Sequence, residues 1–190
     1  KLNSEKVALE FYEHAAVLLI EGELWRYDPI VKLGTLYRKL APTEFGDSEF
    51  GINRIYRRAV KWLNMAALEG NHDAQETLGA MFAEGEGVSR DWYARCALVR
   101  LANWDLDDRA EDLTTIAKAF ERDEKLYDRS EYNATEFAVK WYEKAAEKGD
   151  AEGQLRLGFM YEMGRGVSRD LEKAMSVWDM AASGGEDLAA

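Results

Sequence analysis

The sequence predicts an all-α fold, an α/α solenoid of repeated helical hairpins, and three observations support this prediction. The stretch 59–91 recurs without a gap at 138–170, with 17 of 33 positions identical. Such self-similarity is the signature of a repeat protein. Only two prolines occur in 190 residues, and proline is the residue that helix interiors tolerate least. Aromatic and small residues also recur at the spacing of one helical face.

The first helix of each unit, here called the B-type helix, has a large residue followed four and five positions later by small ones. The ring then fills space between helices, while the small side chains let a neighbouring backbone approach. The five copies are Phe11 with Ala15 and Ala16, Trp62 with Ala66 and Ala67, Leu98 with Ala102 and Asn103, Trp141 with Ala145 and Ala146, and Val177 with Ala181 and Ala182. We expect Gly70, Gly149 and Gly185 to end three of these helices as left-handed C-caps.

The second helix, here called the A-type helix, carries a Leu-Gly pair or its equivalent, with an aromatic residue three positions later. Glycine inside a helix costs about 1 kcal/mol relative to alanine, so its recurrence indicates close contact with a B-type helix. The pairs are Leu33-Gly34, Leu78-Gly79, Ile116-Ala117 and Leu157-Gly158, and the aromatic residues are Tyr37, Phe82, Phe120 and Tyr161.

A loop of sequence Gly-x-Gly-Val-Ser-Arg-Asp occupies 85–91 and 164–170. The glycines allow positive φ, and Asp91 and Asp170 can cap the following helix. A phosphate-binding loop is the alternative interpretation. It is disfavoured because the aspartate would put negative charge where the anion should bind.

These residues bring the chain close to a known family. The segments AVKWLNMAALEGNHDAQETLGAMFAEGEGVSRD and AVKWYEKAAEKGDAEGQLRLGFMYEMGRGVSRD resemble the Sel1-like repeat, a relative of the tetratricopeptide repeat, and most resemble its bacterial members. The match is strong over 59–103 and 131–185. It is thinner at 4–40, where the loop becomes Pro42–Asn53, and 104–130 forms a degenerate unit. The resemblance implies a superhelix that binds other proteins, with A-type helices on its concave side, and it implies no catalysis.

The pattern gives explicit boundaries for a single repeat domain over 1–190. We predict B-type helices at 4–21, 51–69, 91–103, 131–148 and 170–184, and A-type helices at 28–40, 72–84, 108–125 and 151–163. The corresponding units are 4–50, 51–90, 91–130, 131–169 and 170–190. Residues 186–190 look like the opening of another A-type helix, so either more repeats follow or an atypical cap ends the array.

Charge and composition limit the partners. The net charge is −11 and the pI is near 4.8, which disfavours nucleic acid and anionic membranes and leaves room for a basic protein partner. No apolar run is long enough to span a membrane. The first residue is Lys, which suggests that a start or leader segment is missing. The glycosylation sequon at Asn133 hints at a secretory pathway, whereas the resemblance to bacterial members favours a bacterial envelope, and the compartment stays open.

For each candidate catalytic or metal-binding residue, a structural role is the better explanation. The two histidines, His14 and His72, lie on different units, and Cys96 is expected to be a buried, inert thiol. The acidic run 105–112 lacks the loop glycine and terminal glutamate of an EF-hand. We therefore expect no metal, no cofactor and no enzymatic activity.

The expected binding surface is the stripe on each A-type helix that lies opposite its buried face. Leu155 and Phe159 are its most telling members, because large apolar side chains on an outward face often mark binding sites. Cover by the next unit or by the missing terminus is the alternative. The stripe consists of Val31, Thr35, Arg38, Glu76, Ala80, Ala83, Thr114, Lys118, Glu121, Leu155, Phe159 and Glu162.

The sequence thus predicts a non-enzymatic adaptor or scaffold that holds a protein or peptide in its concave groove. One alternative is an immunity or inhibitor protein that neutralises a secreted bacterial toxin, since acidic charge would steer it onto a basic effector. A second is the docking arm of an enzyme whose catalytic domain lies elsewhere. Pairing of open solenoid ends into a homo-oligomer is also possible.

Overall fold

The computed structural model describes residues 27–44, 49–103, 109–123 and 133–187, together with Val7, Phe11 and Glu13. Residues 27–44, 49–103, 109–123 and 133–187 form eight α-helices and no strand. The helices are α1 (Tyr27–Glu44), α2 (Glu49–Leu68), α3 (His72–Glu84), α4 (Trp92–Asn103), α5 (Ala110–Asp123), α6 (Ala134–Glu147), α7 (Ala151–Met163) and α8 (Leu171–Asp187). They alternate between A-type and B-type as predicted, beginning with the A-type α1. Among the described residues, no helix has the length and apolar character needed to cross a bilayer.

The chain divides into two compact units, 1–90 and 91–190. The first contains α1, α2 and α3, with α1 packed on α2 and α2 packed on α3. Its core is formed by Ile30, Leu33, Leu63, Leu78 and Phe82, none of which is exposed. A Cβ atom on Gly34 would lie 2.6 Å from Cγ of Leu63. The predicted close crossing of α1 and α2 at this glycine is therefore confirmed.

Helix α1 runs further than predicted. It ends at Glu44 rather than residue 40, and α2 begins at Glu49, so most of the expected Pro42–Asn53 loop is helical. The extra turn follows from burial, because Leu40 and Ala41 are 3% and 0% exposed.

The second unit contains α4 to α8, and each of these helices packs on the next. The rings of Phe120 and Phe137 meet edge to face, 5.6 Å between centroids, where α5 crosses α6. A Cβ on Gly158 would lie 2.1 Å from Nε1 of Trp178, so the indole on α8 rests directly on α7. The small residue of the A-type helix again marks the crossing, as predicted.

Two expectations about the B-type helices are wrong. Helix α8 continues through Gly185 to Asp187, so Gly185 does not end it. The Phe11 ring is not buried as expected: it is 68% exposed, whereas its counterpart Trp141 is 1% exposed. The rest of the predicted helix 4–21 lies outside the described residues, except for Val7 and Glu13, which are also helical.

The Gly-x-Gly-Val-Ser-Arg-Asp loops fold as predicted. Gly85 and Gly164 are left-handed C-caps, with φ of 77° and 64°. The second glycine of each loop presses on the preceding B-type helix: a Cβ on Gly87 or Gly166 would lie 2.6 Å from backbone atoms of that helix. Asp91 then accepts a hydrogen bond from the Ala94 N–H at 3.0 Å, which caps α4. Each loop packs against the B-type helix that precedes it, which supports the structural interpretation over a phosphate-binding loop.

One pair of residues that sequence reasoning overlooked links each B-type helix to the A-type helix after it. The amide Nε2 of Gln75 donates to the Ala67 carbonyl at 3.1 Å, and that of Gln154 donates to the Ala146 carbonyl at the same distance. Both glutamines are 5% exposed. Their identity in the aligned copies 59–91 and 138–170 was the signal that could have found them.

Candidate protein-binding surface

In the first unit, the predicted binding stripe is accessible but carries little apolar area. Thr35 and Glu76 are exposed, and the other four members are partly exposed: Val31, Arg38, Ala80 and Ala83. Arg38 is committed to an ion pair, with its Nε 2.6 Å from a carboxylate oxygen of Glu86. This half of the stripe therefore offers small side chains and a paired cation.

In the second unit, the stripe exposes two large apolar side chains. Leu155 and Phe159 on α7 are 45% and 49% exposed. Helix α8 covers part of both, because the Phe159 ring meets Trp178 edge to face at 5.4 Å and the Trp178 indole N–H donates to the Leu155 carbonyl at 3.2 Å. Glu162, the third stripe residue of α7, is partly exposed. The stripe on α7 is therefore partly exposed and partly covered by α8.

Thr114 is a correction to the predicted stripe. It is only 2% exposed, so it is not available to a partner. Its hydroxyl donates to the carboxylate of Asp150 at 2.6 Å, and Asp150 in turn caps the start of α7. The residue therefore belongs to the packing of α5 on α7, where the helices come too close for the outward face to stay open.

The other two stripe residues of α5, Lys118 and Glu121, line an open pocket of about 520 Å³. The pocket lies between the A-type helices α5 and α7, beside the loop after α7 and the start of α4. Its complete lining is Tyr93, Thr115, Lys118, Glu121, Arg122, Arg156 and Arg165. Sequence reasoning identified two of these seven residues.

Comparison of the two repeat copies contains a signal for Arg156 and Arg165, two pocket cations that the sequence analysis did not identify. When 138–170 is aligned with 59–91, Arg156 and Arg165 stand where the first copy has Thr77 and Glu86. Positions that differ between copies of a repeat are those that the shared backbone does not dictate. A comparison of differences, rather than identities, would have pointed to this pocket.

Glu121 lies at the centre of the polar network in the pocket. Its carboxylate accepts a hydrogen bond from the Tyr142 hydroxyl at 2.8 Å and pairs with Arg156 at 3.3 Å and Arg165 at 3.2 Å. Burial, and then the nearby Glu121 charge, raise the pKa of Tyr142 far above its ordinary value. Because the network holds Tyr142 protonated, its hydroxyl acts as a donor that fixes the carboxylate of Glu121 in place.

The remaining cations are anchored at the pocket edge. Lys118 pairs with Glu152, which also accepts from Nε of Arg156 at 3.0 Å. These hydrogen bonds, that from Lys118 above all, lower the pKa of Glu152. Arg122 pairs with Asp91 and donates through Nε to the Lys118 carbonyl at 3.2 Å, yet its side chain remains 63% exposed. The pocket therefore presents cations whose positions are fixed while their outer faces meet solvent.

Of the other candidates for chemistry, Asp112 and Asn133 have structural roles. His72 is exposed at the start of α3, and His14 is not described. Cys96 is half-buried rather than buried. The carboxylate of Asp112, from the acidic run, accepts from Arg100 Nε at 2.9 Å. Asn133 of the sequon is exposed and accepts from the Glu136 N–H at 3.3 Å, which caps α6. The described residues contain no group of three His, Cys, Asp or Glu side chains that could hold a metal ion.

Comparison with known proteins identifies the repeat family that this architecture matches. The family model for the Sel1 repeat matches 37–71, 72–97, 130–150 and 151–186, together more than half of the chain. A similar solved structure is a protective antigen present in uropathogenic Escherichia coli strains that displays an SLR fold. It is 24% identical, with a TM-score of 0.40, over 95% of this chain and 34% of that protein. A Sel1 repeat protein from Oxalobacter formigenes is 23% identical, with a TM-score of 0.37, over 96% of this chain and 68% of that one.

This chain therefore spans about a third of the length of the Escherichia coli protein it resembles. Four matched repeats and an alternation of A-type and B-type helices agree with the resemblance drawn from the sequence. The chain belongs to the Sel1 repeat family, an all-α, tetratricopeptide-like solenoid fold that generally serves as a protein–protein interaction module and is typically non-catalytic.

Proposed function

We propose that this chain is a non-enzymatic adaptor or scaffold that binds a protein or peptide on the A-type helices of its second unit. The observation that carries the proposal is the pocket between α5 and α7. It is lined by Lys118 and Glu121, two residues expected at the binding surface, and its volume of about 520 Å³ can take side chains of a partner. Binding sites are concave and use a few fixed polar groups to orient what they bind.

Apolar residues on the same helix support this surface. Leu155 and Phe159 are about half-exposed and flank Arg156, which lines the pocket. Interfaces commonly combine a few large apolar anchors with charged residues around them. In the first unit the same stripe positions hold Glu76 and Ala80, so the second unit is the better candidate.

The test is identification by mass spectrometry of proteins that co-purify with the chain, repeated with Leu155→Asp. This change puts a charge at an exposed position, and it keeps the backbone carbonyl that accepts from Trp178. We expect it to eliminate at least one specific partner while thermal unfolding stays within a few degrees of the unchanged protein. Met175→Asp is the matched control, because Met175 is an exposed apolar residue of α8 (57%) away from the pocket. Retention of every partner by Leu155→Asp would contradict the proposed surface.

The alternative proposal is an immunity or inhibitor protein, and the net charge of −11 favours it. A strongly acidic chain is steered onto a basic effector at rates that fall with salt. It predicts one partner, bound tightly at one-to-one stoichiometry, whose toxic activity is lost in the complex. Several weaker partners would instead support the scaffold.

A docking arm for a catalytic domain elsewhere is the third proposal, since the chain spans only part of the structures it resembles. It predicts that the partner found by co-purification is an enzyme, or that the full-length protein carries one. Measurement of turnover by the isolated chain separates this case from intrinsic activity, which we expect to be absent.

A further inference from the structure

We propose that the pocket between α5 and α7 recognises the carboxylate groups of an acidic peptide segment. The proposal rests on the proposed function and adds the chemistry of the partner at that surface. It differs from the expectation of a basic partner, which came from the charge of the whole chain.

The pocket has a local excess of positive charge in a chain whose net charge is −11. Its lining contains four cations and one carboxylate, Glu121. The carboxylates of Asp91 and Glu152 pair with lining cations, so these four cations and three carboxylates leave one positive charge in excess. At an ionic strength near 0.15 M the Debye length is about 8 Å, so more distant acidic residues act on a ligand in the pocket much less. The cations are Lys118, Arg122, Arg156 and Arg165.

The cations of the pocket are preorganised. Ion pairs with Asp91, Glu121 and Glu152 hold the cations in place, while the Arg122 side chain is 63% exposed. A guanidinium has five N–H donors in a rigid fork. The bonds of Arg122 to Asp91 and to the Lys118 carbonyl involve only its Nη2 and Nε atoms. A ligand carboxylate can thus bind a guanidinium that has already lost its side-chain entropy, which lowers the cost of binding.

Two further features favour an acidic peptide over other anions. The acidic remainder of the chain repels long polyanions such as nucleic acid. Tyr93, which is 75% exposed at the pocket edge, offers a ring on which an adjacent peptide side chain can pack.

The experiment titrates the full chain against a fluorescein-labelled tetraglutamate peptide with an amidated C-terminus, at low ionic strength, and follows fluorescence anisotropy. Tetraglutamine is the control peptide. We expect tetraglutamate to bind about tenfold more tightly than tetraglutamine and its binding to weaken as salt is added. Equal binding of the two peptides would overturn the proposal.

Three variants test the residues. Lys118→Gln should weaken tetraglutamate binding about fivefold, as expected for one exposed ion pair. Lys140→Gln should leave binding unchanged; Lys140 also pairs with one glutamate, but on α6 and outside the pocket. Glu121→Gln keeps the size and the acceptor oxygen but removes the opposing charge, so it should tighten binding about threefold. A purely structural role for Glu121 predicts the reverse, weaker binding, and that result would overturn the proposal.

Competition distinguishes the source of the anion. If inorganic phosphate or a short single-stranded DNA displaces tetraglutamate more effectively than free tetraglutamate does, the acidic-peptide assignment is wrong. If co-purified partners depend on Leu155 but tetraglutamate does not bind, the assignment of acidic peptides to the pocket is wrong, and the proposed interaction function stands. If no partner is found while tetraglutamate binds through Lys118, the pocket is an anion site and the adaptor function fails.

Discussion

The two units contain the same ion pair with its charges exchanged. In the first, Arg38 on α1 pairs with Glu86 in the loop after α3. In the second, Glu121 on α5 pairs with Arg165 in the loop after α7. The positions correspond: 86 and 165 are aligned in the two copies of the repeat, and 38 and 121 each follow the small residue of their A-type helix by four. Repeat geometry therefore fixes where the pair forms, but it leaves the sign at each end free.

The sign of the charge in the loop changes the surface of each unit. In the first unit the loop end of the pair is an acid, whereas in the second it is a base, and that base lines the pocket together with Arg156. The acid also keeps a tyrosine partner in each unit: Glu86 interacts with Tyr56, and Glu121 with Tyr142. The same structural element thus supports two different surfaces.

The largest expected effect concerns what the two copies share, the second loop glycine. A Cβ on Gly166 would lie 2.6 Å from the Thr135 carbonyl oxygen, and φ is +70°. We expect Gly166→Ala to lower the free energy of unfolding by about 3 kcal/mol, from left-handed strain and from the collision. Gly149→Ala is the matched control: φ is +83°, but no atom lies within 4 Å of the added Cβ. It should cost only about 1 kcal/mol. Urea unfolding measures both, and equal losses would disprove the steric account.

The next effect concerns the pH dependence of stability and compares Tyr142 with Tyr56. The folded pKa of Tyr142 is raised, so the folded state retains a proton that the unfolded state releases above pH 10. Its contribution to stability is therefore complete below pH 10 and is lost as the pH rises. We expect the free energy of unfolding to fall by about 1 kcal/mol between pH 10 and 11 from this residue. Tyr142→Phe should reduce that fall more than Tyr56→Phe, since Tyr142 is fully buried and Tyr56 is not. The opposite ranking would show that burial does not control the difference.

A smaller effect tests the equivalence of the two copies at their buried glutamines. Gln75→Ala and Gln154→Ala each remove one hydrogen bond to a backbone carbonyl of the preceding helix, both of 3.1 Å. We expect each change to destabilise the protein by about 1 kcal/mol, measured by urea unfolding. Gln154→Glu should cost more than Gln154→Ala, because a carboxylate would then face the Ala146 carbonyl. A large difference between the two alanine variants would break the equivalence.

The smallest expected effect belongs to the exchanged ion pair itself. Double-mutant cycles with glutamine at Arg38 and Glu86, and at Glu121 and Arg165, should each give a coupling of about 0.5–1 kcal/mol. The side chains are similarly exposed, 29% and 21% in the first pair and 37% and 20% in the second. Added salt should reduce both couplings alike. A coupling in one unit only would show that the exchange of charges is not neutral.

Most of the architecture was predictable because it depends on local patterns. The bounds of α3 and α7 match the prediction, and Gly34 and Gly158 lie at helix crossings as expected. The errors arose where a contact from outside the local segment decides the outcome. Burial of Leu40 and Ala41 extends α1, and a hydrogen bond to Asp150 removes Thr114 from the surface.

The sequence by itself determined the repeat, the helix types, the loop caps at Gly85 and Gly164 and the glycines at helix crossings, since each depends on a backbone constraint within one unit or between adjacent helices. Only the tertiary structure decided which side chains of different helices meet. Lys118 on α5 and Arg156 on α7 are separated in the sequence by the whole of α6, and nothing in the local pattern of either helix places them around one pocket. Periodicity specifies the face on which a residue lies, but the separation and rotation of two packed helices decide which charges share that face.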